Sequence, residues 1–218
     1  RSLSAGGCTS FELFRRWVVS DKKILELEKA TKQTELQQLK KQINPHFLFN
    51  MLNNANILVK DAPDEASQIL EKLDNLVRYQ LNDSTRREVF LTADIQFLTS
   101  FLELEKVRRD HFEYTIFQEG NMENICIPPL LFIPFVENAV KHNLDSDNLS
   151  YVHLYFSVHN KQLTFRCENS KPRVPVKREG GIGLANVKRR LDLLYESRYT
   201  LQIEDKETTY NVNLHLNL

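Results

Sequence analysis

Residues 44–50 read Asn-Pro-His-Phe-Leu-Phe-Asn, a histidine flanked by two asparagines and set against an apolar run. Neutral imidazole is a competent nucleophile near pH 7, because an ordinary pKa of about 6.5 leaves one ring nitrogen with a free lone pair. Asn44 and Asn50 can hydrogen-bond the ring of His46 and fix its tautomer. Pro45 is the odd member, since a proline inside a helix removes a backbone hydrogen bond and costs about 3 kcal/mol or more. A second constellation, Glu137, Asn138, Lys141 and His142, lies in "PFVENAVKHNL". Asn138, Lys141 and His142 follow i, i+3, i+4 spacing and share one helical face, with Val136, Ala139 and Val140 on the apolar side. A neutral oxygen ligand beside Lys and His suits a hydrated Mg²⁺ and the phosphates it bridges. The same residues equally describe a solvated polar face. The third constellation is "REGGIGLANVKRRL", with Gly180, Gly181 and Gly183 directly before a helix. Bare glycine backbone lets N–H groups and a helix N-terminus approach phosphates closely, and it also serves as a plain turn.

These residues need supports, and the pattern of the chain supplies them. "SDKKILELEKATKQTELQQLKKQ" is rich in strong helix formers, and Leu36, Leu39 and Ile43 fall at coiled-coil spacing. The stripe extends through Phe47, Met51, Ala55 and Leu58, which implies one long helix over residues 11–60, bent or restarted at Pro45. "KDAPDEAS" breaks it, with Asp61 or Asp64 able to cap a second amphipathic helix whose apolar members are Ile69, Leu73, Leu76, Val77 and Tyr79 to Leu81. A helical hairpin cannot bury its stripe alone. Dimerisation into a four-helix bundle is the economical solution, with packing onto the rest of the chain as the alternative. A short extended piece and a helix from about Thr92 to Arg109 follow. Beyond residue 110 strands are expected in "FEYTIFQEG", in two runs of "SYVHLYFSVHNKQLTFRCEN" around a turn at His159–Lys161, and in "TLQIED" and "TYNVNLHLNL". Helices are expected in "CIPPLLFIPFVENAVKHNL" and "GIGLANVKRRLDLLYES". The fold class expected is α+β: an N-terminal coiled-coil or helical hairpin, then an α/β sandwich with one mixed sheet and helices on one face.

Lys plus Arg and Asp plus Glu both number 29, a balance that argues against a general nucleic-acid binder. A 41% hydrophobic fraction is that of a soluble globular chain, and no run of about 18 apolar residues is present to span a membrane. Cys8, Cys126 and Cys167 are scattered and no CxxC occurs, which fits a reducing compartment and excludes a zinc knuckle. The opening "RSLSAGGCTS" lacks an initiating Met and reads as a cut or tagged end, so the chain is expected to be the cytosolic part of something longer.

Taken in series, "QINPHFLFNMLN", "IPPLLFIPFVENAVKHN" and "GGIGLANVKRRLDLLY" resemble the phosphoacceptor box, N-box and G-box of LytS/YehU-type sensor histidine kinases, within the GHKL or Bergerat ATP-binding superfamily that includes gyrase and MutL. The resemblance runs from about residue 36 to the end. It implies a linker or signalling helix over 1–35, a dimerisation and phosphoacceptor region over 36–110, and an ATP-binding catalytic domain over 111–218. It implies ATP-dependent autophosphorylation on His46, then transfer to an aspartate of a response regulator receiver domain. The alternatives are a pseudokinase or dimeric scaffold without turnover, and an ATPase of the gyrase kind. By the same resemblance Asn138 would hold Mg²⁺, Glu137 would orient or polarise the attack and Asn50 would orient the imidazole. Lys141, His142, Asn169, Gly181, Gly183 and Leu184 would line the nucleotide. A homodimer, no nucleic-acid partner and an upstream membrane or sensor region are implied, placing the chain on the cytoplasmic side of a bacterial inner membrane.

Three departures stand out. The Asp-x-Gly-x-Gly turn that reads adenine in such sites is replaced by "LTFRCENSKPRV", where strand parity puts Asn169 in the Asp position and Lys171 and Arg173 in those of the glycines. Ile133 stands where the family often has Gln. The lid, "KPRVPVKREGG", is short, and Lys177 or Arg178 can reach a phosphate or simply be solvated. Phe47 also follows the histidine where better-known kinases place an acidic base, so no proton acceptor is assigned from the sequence.

Overall fold

The computed structural model describes Thr31 and residues 45–143, 148–172 and 182–218. Ile43–Leu218 forms one compact unit. Helix α1 spans Pro45–Asp61 and α2 spans Pro63–Arg78, joined through Ala62 alone. Residues 11–44 other than Thr31, and with them the expected seam at Leu36, Leu39 and Ile43, lie outside the described residues. Asp61 and Asp64 do not cap α2: the N-cap is Ala62, without a side-chain bond, and Pro63 opens the first turn. Proline is favoured there because its missing N–H would have had no intrahelical partner. Past Arg78 the chain continues as a short π-helical turn, Tyr79–Asp83, which buries Tyr79 and leaves Leu81 in solvent.

The stripe of α1 is buried by its own chain. Met51 and Ala55 pack with Ile69, Leu73 and Leu76 of α2, while the Phe47 ring meets Phe101 at 4.9 Å between centroids. Phe101 belongs to α3, Leu91–Arg108, which buries residues around most of its circumference, as a helix enclosed by other elements must. Helix α3 packs against the hairpin and also against the first strand of the main sheet and the helix that follows it. It starts one residue before the expected Thr92. Its N-cap Phe90 offers no side-chain bond, and Leu91 N instead donates to Ile125 O at 2.8 Å. That contact continues a two-stranded ribbon in which β1, Val89–Phe90, pairs antiparallel with β3, Cys126–Ile127.

The main sheet has five strands in the order β2 (Phe112–Glu119), β4 (Ser150–His159), β5 (Gln162–Ser170), β7 (Thr209–Asn217), β6 (Tyr199–Asp205). The β2–β4 pair is parallel and the rest are antiparallel, so the sheet is mixed, as expected. The parallel pair needs a crossover, and α4, Ile133–His142, lies within it. Pro134 sits in the first turn of α4, whereas Pro128 and Pro129 belong to the loop ahead of it. The β4–β5 hairpin turns through Asn160 and Lys161, at φ 48° and 64°, the left-handed pair of a two-residue primed turn. Helix α5, Ile182–Tyr195, packs on α4. The core lies between the helices and one sheet face, where Val152, Leu154, Phe156, Leu163, Phe165, Leu214 and Leu216 are buried. Among the described residues, no helix is long and apolar enough to cross a membrane.

Candidate functional site

Helix α4 carries the polar constellation. Ile133, Phe135, Val136, Ala139 and Val140 are buried, so the opposite arc faces outward with Glu137, Asn138 and His142 half-buried and Lys141 exposed. The helix is seated on the sheet by aromatic contacts: Phe132 and Phe135 lie 4.5 and 5.8 Å from Phe165, ring to ring. Phe165 shares a strand face with Leu163, Cys167 and Asn169, which are all buried. The parity reading of β5 therefore places Asn169 on the face that meets α4. Glu168 points the other way and pairs with Arg166.

Asn169 is 1% exposed, and its Nδ2 donates to Ser170 O at 2.8 Å. Its Oδ1 is buried with no hydrogen-bond partner among the described residues. An unpaired buried acceptor costs roughly 1–3 kcal/mol. A ligand donor reaching Oδ1 would remove that cost, so the strand face fits a group that presents an N–H, such as an exocyclic amine. No cluster of three or more acidic, His or Cys ligands occurs among the described residues. On α4, Asn138 offers one neutral oxygen of the kind that a Mg²⁺ keeping most of its waters accepts.

Glu137 on α4 is perturbed by its surroundings. Burial, then the charge of Glu105, pushes its carboxyl up to about 7, where a carboxylate is poised to take or give a proton near neutrality. The ordinary value is 4.5, so between about 4.5 and 7 the folded chain holds a proton that the unfolded chain has lost. Stability then falls as pH rises through this window, by about 3 kcal/mol for a shift of that size. Glu137→Gln should melt higher than wild type at pH 8, with the gap closing by pH 5. A gap independent of pH would show that Glu137 is already ionised throughout.

Glu105 itself is held by Arg108 at 2.7 Å and Arg109 at 3.2 Å. Arg109 then reaches α4: Nη1 donates to Asn143 Oδ1 at 2.9 Å and Nη2 to Val140 O at 2.8 Å. Asn143 Nδ2 donates onward to Tyr151 O at 3.1 Å. This clamp satisfies the C-terminal end of α4, whose last carbonyls have no partner in the helix. Sequence reasoning missed Glu105, Arg109 and Asn143. The i+3 and i+4 spacing of Glu105 to the two arginines is visible in "EKVRR", but nothing local says that they grip α4.

The remaining candidates are less fully described. His46 occupies the first turn of α1, and its side chain lies outside the described residues. Asn50, one turn on, is half-buried. Gly183 is in the first turn of α5 and Leu184, half-buried, packs on the core. Gly180, Gly181, Arg173, Lys177 and Arg178 lie outside the described residues. The structure places Glu137, Asn138, Lys141 and His142 on the outward arc of α4, a helix that packs against β5 and α5.

Residues 34–112 match the family model described as histidine kinase. The sensor protein LytS of Staphylococcus haemolyticus is 30% identical over 203 residues, covering 86% of this chain and 35% of that protein. The sensor histidine kinase YpdA of Escherichia coli is 30% identical over 119 residues, or 55% of this chain and 21% of that one. A sensor histidine kinase/phosphatase LytS of Staphylococcus aureus is 32% identical over 115 residues, covering 52% and 20%. This chain thus spans about a third or less of the curated relatives it matches. Among solved structures, the histidine kinase domain of Erythrobacter litoralis EL346 aligns over 87% of this chain and 93% of its own at 16% identity, with a TM-score of 0.47.

Proposed function

We propose that the chain is the kinase core of a LytS-type sensor histidine kinase whose site residues phosphorylate His46. The observation that carries the reading is the position of His46: it lies inside the stretch matching the histidine kinase family model, in the first turn of a helix. In the same compact unit, α4 and β5 present the Asn138 and Asn169 groups described above.

In this reading a His46 ring nitrogen attacks the γ-phosphorus of ATP. A P–N bond forms, the bond to the ADP oxygen breaks, and the imidazole loses its proton. Asn169 Oδ1 accepts from the adenine amine, a neutral substitute for the family's carboxylate. Lys141 and His142 contact phosphates, with Gly181, Gly183 and Leu184 alongside. Asn138 is the residue that would hold Mg²⁺, which when bound supplies neutralisation of charge on the transferring phosphoryl group. In this reading Glu137, whose carboxyl is pushed up to about 7, takes the imidazole proton, and Asn50 orients the ring. The phosphoryl group then passes to an aspartate of a response regulator receiver domain.

A homodimer is part of the proposal. The side of α1 that its own chain leaves uncovered carries Phe49, Leu52 and Val59, 66%, 46% and 52% exposed, interleaved with Asn53 and Asn56. Large apolar side chains left exposed on one helix suit a second copy. The chain would sit on the cytoplasmic side of a longer, membrane-anchored sensor.

The test is incubation of the whole chain with Mg²⁺ and ATP labelled on its γ-phosphate. Acid-labile label on the protein is the expected result, and Asn138→Ala should reduce it at least about a hundredfold, since it removes the metal's protein ligand. Nucleotide binding without label would favour a scaffold. Release of inorganic phosphate without protein label would favour an ATPase of the gyrase kind.

A further inference from the structure

A buried polar chain joins the end of the helical hairpin to the helix behind the glycine cluster. Tyr79, at the start of the π-helical turn, donates its hydroxyl to Asp94 Oδ1 at 2.7 Å while its ring stacks on Phe97 at 4.8 Å. Asp94, in the first turn of α3, is 0% exposed. The same Oδ1 accepts from Leu130 N at 2.9 Å. Leu130 has a φ of 56°, a left-handed backbone unusual for a leucine. From the other side Arg190 of α5, 4% exposed, donates to Leu130 O at 2.6 Å and also to Pro129 O.

Four separated segments are therefore tied through one strained loop residue. An interior site is an expensive place for such a chain, because buried charges lose hydration that apolar side chains of similar volume would not need. Asp94 Oδ2 and Arg190 Nε even lack hydrogen-bond partners among the described residues.

We infer that Tyr79, Asp94 and Arg190 are positioning residues that couple the hairpin's end to α5, and so set how the glycine-cluster helix presents itself to the nucleotide. The inference rests on the kinase reading for its ligand, and on geometry alone for its coupling. Coupling of this kind is reciprocal: a change at either end is felt at the other to the same degree. Both ends bear on the proposed reaction, since α2 pairs with the helix that carries His46 and α5 contains Gly183 and Leu184.

Hydrogen exchange on the whole nucleotide-free chain tests it. Tyr79→Phe removes one hydroxyl and keeps the stacked ring, so a merely local role would speed exchange only near residue 79 and the start of α3. The coupling predicts at least about fivefold faster exchange across residues 182–195 as well. Arg190→Met, which has no donor for either carbonyl, should in turn speed exchange over residues 79–83. The double variant should show less than the sum of the two effects. The affinity for a non-hydrolysable ATP analogue with Mg²⁺ should weaken about fivefold in Tyr79→Phe. Unchanged exchange in α5, or strictly additive effects, overturns the coupling. Absence of analogue binding in the wild type would instead overturn the kinase reading, with the exchange arm still deciding the coupling.

Discussion

His46→Ala is expected to remove acid-labile phosphate from the chain, a fall of at least about two orders of magnitude, because it deletes the atom to which the phosphoryl group bonds in the proposed reaction. The substitution is mild for the fold. Alanine has the highest helix propensity, and position 46 lies in the first turn of α1, where backbone N–H groups have no intrahelical partner to lose. Loss of label with an unchanged circular dichroism spectrum would therefore report chemistry. The chain has five other histidines, His111, His142, His153, His159 and His215, and any of them can in principle carry a phosphoryl group. Label that persists in His46→Ala and follows His142 would move the phosphoacceptor onto α4 and refute the assignment. The Glu137 variant adds an independent check. If Glu137 takes the imidazole proton, the labelling rate of the wild type should rise with pH through about 7, and Glu137→Gln should flatten that profile.

The second large effect is expected at a residue that carries no chemistry. Arg109→Met keeps the length of the side chain and removes the guanidinium that joins Glu105, Val140 O and Asn143 Oδ1. Two acceptors lose their donor, and a buried carboxylate keeps only Arg108. Breaking one side of a buried ion pair costs about 3–5 kcal/mol, and the remaining arginine brings the expectation nearer 3. In a chain of this size that lowers the melting temperature by about 6–12 °C. At temperatures where the variant is folded, the freed C-terminal turn of α4 should also weaken Mg²⁺–nucleotide binding under the proposed function, since Lys141 and His142, its proposed phosphate contacts, sit on that turn. A melting temperature within 1–2 °C of wild type would mean that water replaces the guanidinium and that the clamp is ornamental; about 1 kcal/mol or less would then be at stake.

Particular elements show how far the sequence could be read. The strand carrying Asn169 was legible because side chains alternate across a sheet, so three apolar partners fix which face the fourth residue takes. The polar arc of α4 was legible because 3.6-residue periodicity separates it from Val136, Ala139 and Val140. The caps were not. Asp61 and Asp64 have the right chemistry for an N-cap, but α1 runs so close to α2 that Asp61 is still helical and Asp64 already is. The stripe of α1 was visible, and its partner was not: Met51 and Ala55 are covered by α2 and α3 of the same chain.

Local order and the order of motifs come from the sequence alone: two amphipathic helices, a mixed array of strands and helices, an imidazole behind a proline, and a polar helix arc ahead of a glycine cluster. Each depends on neighbours within a few residues, where spacing translates directly into a shared face. Tertiary structure decided the rest. It placed Glu105 beside Glu137, set Arg109 on a helix end 34 residues away, left Asn169 Oδ1 buried without a partner among the described residues, and closed the path from Tyr79 to Arg190. Burial and through-space charge determine those outcomes, and both depend on which distant segments fill the same volume.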